Sequence, residues 1–141
     1  MARIKIEFPS VFTFSTQLPV RISDINYGGH LGNDAVLSML HEARLRFLQH
    51  YGYSELELAG KSLIIADVAI EYKGEGFHGD LLTIQVVAHD FNKYGFDVVY
   101  QITNQENRLI SLAKTGMICF DYNTRKVSSL PAEVQMKLSS V

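Results

Sequence analysis

The sequence predicts an α+β fold in which one long helix packs against an antiparallel sheet. Three observations carry that reading. From Val36 to Phe47 the apolar residues recur at three- and four-residue spacing, which gives a helix one buried face. Beyond residue 62 the pattern changes to an alternation with period two, that of a strand with one face buried. The links between the later runs are only about four residues long, so those strands are hairpin-connected and antiparallel.

In chain order, residues 1–22 alternate weakly and contain Pro9, which indicates an irregular lead-in and a first strand over Val11–Ile22. A polar turn follows, gathering Asp24, Asn26, Tyr27, Gly28, Gly29, His30, Gly32 and Asn33 within ten residues. Asn33 or Asp34 is suited to cap the helix, because a short side-chain oxygen accepts the first free backbone N–H groups. Val36, Met39, Leu40, Ala43 and Phe47 form its apolar face, and Gly52 supplies a stop. Glu42 falls about 60° from Met39 on the helical wheel, half sheltered at the edge of that face. It also stands four residues before Arg46, the favourable order for an ion pair.

The segment 51–60 reads as a loop or a single helical turn. In residues 62–73, Ile64, Ala66, Val68, Ile70 and Tyr72 point one way and Asp67, Glu71 and Lys73 the other. The next strand places Leu82, Ile84, Val86 and Ala88 on one face, and the one after it Phe96, Val98, Tyr100 and Ile102. Residues 109–122 are apolar on both faces, as in a central strand. Pro131 then opens a short terminal helix, a position proline suits. The spacing G-x-G-x-x-G from Gly74 to Gly79 follows a strand, but a strand rather than a helix comes after it. A dinucleotide reading is therefore refused, and the glycines are assigned to a hairpin.

At 141 residues the chain is read as a single domain over 1–141. A net charge of −2 and no basic run interleaved with aromatics exclude a nucleic-acid surface. The amino terminus lacks a signal-peptide core and no apolar run reaches membrane-spanning length, so the expectation is a cytoplasmic protein without membrane attachment. The one cysteine, Cys119, excludes an internal disulfide and a cysteine metal cluster, and no metal site is expected. One helix covers only one face of the sheet, so a homodimer that extends the sheet or pairs helices is expected.

SDINYGGHLGNDAVLSMLHEAR, IEYKGEGFHGDLLTIQVV and MICFDYNTRKVSSLPAEV together resemble the hotdog-fold acyl-CoA thioesterase family of the 4-hydroxybenzoyl-CoA thioesterase type. The order and spacing hold over some 120 residues. The resemblance implies a long central helix wrapped by a curved antiparallel sheet, dimers or tetramers, and an active site at the dimer interface near the amino end of the helix. It implies an acyl-CoA thioester as substrate and no cofactor. Physics favours the same place, because a helix amino terminus presents free N–H groups to a developing oxyanion.

The chain departs from the family at Asn26, where many members carry the catalytic aspartate; an amide serves neither as base nor as nucleophile. Under the leading reading, acyl-CoA hydrolysis, Glu42 supplies the carboxylate while His30 and Asn26 orient water or the carbonyl. Asp24, Tyr27, Gly28, Gly29 and Asn33 then contact substrate, and Lys93, Arg125 or Lys126 meets the coenzyme A phosphates. The residues leave plainer roles open. Asp24 bonds turn amides, His30 organises the helix start, Asn33 caps, Glu42 pairs with Arg46, and the cations are solvated. Two other functions stand beside hydrolysis: an acyl-CoA-binding protein that has lost the aspartate, and a hotdog dehydratase or hydratase.

Overall fold

The computed structural model describes residues 3–139; residues 1–2 and 140–141 of the single-domain span lie outside the described residues. Strand β1 covers Phe14–Pro19, helix α1 Asn33–His50, β2 Ser62–Tyr72 and β3 Leu81–His89. Then come β4 at Gly95–Thr103, β5 at Leu109–Asp121, the two-residue β6 at Lys126–Val127, and α2 at Ala132–Leu138. All strand pairs are antiparallel, in the order β1-β3-β4-β5-β2, with β6 added to the end of β5.

The periodic elements stand where the sequence put them. Val36, Met39, Leu40, Ala43 and Phe47 of α1 are buried against Leu82, Ile84, Val86 and Ala88 of β3 and Phe96, Val98, Tyr100 and Ile102 of β4. Burying these side chains supplies the main driving force of folding, about 1.5–3 kcal/mol each. At the helix end Gly52 takes φ +85°, and the N–H groups of Gly52 and Tyr53 donate to the carbonyls of Gln49 and Leu48, closing the last turn. Strand β5 lies between β4 and β2, which explains its apolar character on both faces.

Three expectations change. The first strand is shorter than Val11–Ile22, because Pro19 closes it and residues 22–24 wind into a 3-10 turn. In β2 a bulge between Ile65 and Asp67 inserts Ala66 without a partner, so the strict alternation from Ile64 breaks. Opposite Met117, Ile65 rather than Ile64 shares the helix-facing side with Val68, Ile70 and Tyr72. Finally, the glycine segment 73–80 is no hairpin: β2 pairs with β5 while β3 lies between β1 and β4. The segment crosses the end of the sheet and passes the start of α1.

The sheet ends in β1 on one side and β2 on the other. Ile65, Val68 and Tyr72 of β2 are exposed although they face the helix side of the sheet, and Leu37 of α1 is exposed on the neighbouring flank. The outer face of the sheet receives the amino-terminal segment, where Ile6 N–H donates to the Glu71 carboxylate at 2.9 Å.

Candidate active site

The turn before α1 is held by its own side chains. Asp24, only 8% exposed, accepts the Arg21 backbone N–H at 2.8 Å and pairs with its guanidinium at 3.4 Å. The Asp24 carbonyl accepts Gly32 N–H at 2.9 Å. Asn26 Oδ1 accepts the N–H groups of Gly28 at 3.0 Å and His30 at 3.3 Å, an Asx turn. Gly29 completes it at φ +81°, a conformation that glycine adopts without strain. Tyr27, at the tip, is fully exposed.

The helix cap is neither Asn33 nor Asp34. Gly32 occupies that position in extended conformation and contributes no side-chain bond, and Asn33 is the first helical residue. Asn33 Oδ1 takes only the Asp34 N–H, at 2.9 Å. Among the described residues no side chain accepts from the first-turn N–H groups of Asn33 and Ala35. These amides stay open to a ligand at the positive end of the helix dipole.

His30 stands beside them. The crossing segment 73–80 docks on the turn through the Leu31 N–H to Gly76 carbonyl bond of 2.8 Å. That contact brings Glu75 Oε2 to 3.4 Å from His30 Nδ1 and the Phe77 ring to 5.4 Å from the imidazole. Nδ1 is enclosed and makes no hydrogen bond in this arrangement. Gly76 permits the docking, since a Cβ there would stand 2.9 Å from Leu31 Cβ. Glu75 and Phe77 were not foreseen as site residues; the glycine spacing around them was the available signal.

Glu42 is elsewhere. It lies nine residues past Asn33, roughly 13 Å along the axis, and faces β1. Its carboxylate binds Arg46 Nε at 2.8 Å, and Arg46 Nη1 continues to Thr16 Oγ1 at 2.8 Å and the Gln17 carbonyl at 3.1 Å. With Leu18, Pro19, Arg21, Asp24 and Met39 it lines a cleft of about 450 Å³. The structure thus brings Asn26 and His30 together and leaves Glu42 apart. Lys93 is farther still. It sits in the β3–β4 hairpin with its ammonium 5.4 Å from the Tyr94 ring centre, at the sheet end opposite the turn.

A second polar group escaped the sequence reading. Arg44, 4% exposed, donates to the Tyr100 hydroxyl at 3.1 Å, which meets Thr115 Oγ1 at 2.7 Å. Glu55 Oε2 lies 3.4 Å from Arg44 Nε, and Glu55 Oε1 meets His41 Nε2 at 2.7 Å. Burial pushes the Tyr100 phenol above its ordinary pKa, against the pull of the Arg44 charge. Burial likewise raises the Cys119 thiol to about 11, which keeps it protonated and unreactive at neutral pH. No group of three or more metal-ligating side chains is present among the described residues, and no described helix is long and apolar enough to cross a membrane.

Residues 20–138 match the model of the thioesterase-like superfamily. The chain belongs to that superfamily. Among its relatives, the 1,4-dihydroxy-2-naphthoyl-CoA hydrolase of Acaryochloris marina (strain MBIC 11017) is 31% identical over 123 residues, covering 82% of this chain and 88% of that protein. The long-chain acyl-CoA thioesterase FadM of Escherichia coli (strain K12) is 25% identical over 128 residues, 89% of this chain and 97% of that one. The crystal structure of a 1,4-dihydroxy-2-naphthoyl-CoA thioesterase from Synechocystis superposes with a TM-score of 0.80 at 22% identity, over 89% of this chain and 94% of that chain. The fold of this superfamily member is the hotdog fold, as the three sequence segments implied.

Proposed function

We propose that the protein hydrolyses an acyl-CoA thioester at the amino end of α1. The single observation that carries this reading is the helix start at Gly32, which leaves first-turn amides without a side-chain cap next to His30. The thioester carbonyl seats on these amides, which stabilise the negative charge that develops on its oxygen. His30 takes a proton from the attacking water, with the Glu75 carboxylate 3.4 Å from its Nδ1. Asn26 holds the turn through its oxygen. A second copy of the chain covers the open β2 edge and the exposed Ile65, Val68 and Leu37, placing the site at a subunit boundary.

A second reading rests on one observation, the 450 Å³ cleft beside Glu42. There Glu42, released from Arg46, is the general base.

The test is free-thiol release from short-chain, long-chain and aromatic acyl-CoAs, run beside calorimetric binding of the same compounds. Turnover of at least one class is expected. Saturable binding without thiol release, together with activity gained in Asn26→Asp, overturns hydrolysis and identifies a binding protein.

A further inference from the structure

Tyr72 ends β2 on the side of the sheet that faces α1, in register with Ser111. Its ring is about half exposed and stacks on no other aromatic ring among the described residues. Its hydroxyl reaches the first turn of α1, donating to the Asn33 carbonyl at 3.5 Å, the outer limit of a hydrogen bond. That carbonyl points along the helix into its ladder, so a bond worth little holds the phenol against the first turn. Partial burial, and then the negative charge of Asp34, hold the phenol above its ordinary pKa, so it keeps its proton through neutral and mildly alkaline pH.

We propose that Tyr72 is a catalytic residue whose hydroxyl turns from the Asn33 carbonyl to the thioester carbonyl and completes the oxyanion site. This inference rests on the hydrolytic reading above. The water oxygen bonds to the carbonyl carbon as His30 removes its proton, and the C=O electron pair moves onto oxygen. The first-turn amides and the Tyr72 O–H share that charge. Collapse re-forms the carbonyl and breaks the C–S bond, and the coenzyme A thiolate takes the proton from His30. Tyr72 donates a hydrogen bond throughout and transfers no proton.

Tyr72→Phe tests this by removing one oxygen while keeping the ring. The expected result is a kcat lower by roughly 100-fold, as for the loss of one oxyanion donor, with KM and melting temperature unchanged. As a second measurement, 3,5-difluorotyrosine at position 72 lowers the phenol pKa. It should introduce an alkaline decline of kcat that the wild type lacks. Wild-type kcat in Tyr72→Phe, or no new decline with the fluorinated residue, overturns the proposal and leaves hydrolysis standing. Absence of thiol release in the wild type overturns both.

Discussion

Helix α1 treats its polar groups in opposite ways along its length. In the middle, Arg44 and Arg46 bond side chains on β4 and β1 and Glu42 bonds Arg46, while Arg44 Nε is buried 3.4 Å from Glu55, short of a hydrogen bond and out of reach of solvent. At the amino end, first-turn backbone N–H groups lack a side-chain cap, beside the partly exposed His30. Satisfied groups hold a fold; unsatisfied groups next to solvent are what a ligand completes. The contrast assigns stability to the middle of the helix and chemistry to its beginning.

The largest effect should come from Arg44→Ala. It strips Glu55 and the buried Tyr100 hydroxyl of their cation, and breaking a buried pair costs about 3–5 kcal/mol. Denaturant unfolding should show a loss of that size, a large fraction of an ordinary domain's stability; a loss below about 1 kcal/mol would remove the middle of the helix from the stability account.

Gly76→Ala acts at the other end. A Cβ against Leu31 forces the crossing segment off the turn and moves Glu75 away from His30. Turnover should fall by up to about 100-fold, the cost of a misplacement near 1 Å, while far-UV dichroism stays native. Equal losses of activity and stability would show the docking to be structural only.

Glu75→Gln removes one charge from a pair that is open to solvent. Turnover should drop by less than about tenfold, the scale of a solvent-exposed pair. Unchanged turnover would separate Glu75 from His30.

The smallest effect belongs to Glu71, far from either region. The Ile6 N–H bond, and then Lys73, hold its carboxyl below the ordinary range near 4.5. A lowered folded pKa contributes stability that is present above the unfolded value and is lost as pH falls through the folded one. Glu71→Gln should therefore slightly lower the melting temperature at neutral pH, with the difference closing below pH 4.5. A difference that persists in acid would assign it to packing.

Legibility from sequence follows from how local each feature is. The apolar face of α1 and the alternation in β3 and β4 are written in neighbouring residues, and those elements were readable. The β2 register was not, because one bulged residue, Ala66, reverses every side chain on one side of it. The crossing of segment 73–80 depends on strand order, which two runs of alternation do not encode, and with it went the Glu75–His30 pairing. Arg44 drew no reading from sequence because its partners Tyr100 and Glu55 are 56 and 11 residues away. Glu42 looked half sheltered, and its neighbour Arg46 accounts for that position. The proximity of Asn26 and His30 was readable because the turn that joins them is five residues long.

The central claim is that the chemistry lies at the start of α1. Thiol release by His30→Gln and Glu42→Gln, each checked for native folding, tests it most directly. The account predicts a loss of about 10²–10⁴ for His30→Gln, the scale of general-base catalysis, and less than about tenfold for Glu42→Gln. The reverse pattern, with Glu42→Gln inactive and His30→Gln near wild type, would move the reaction to the cleft beside β1.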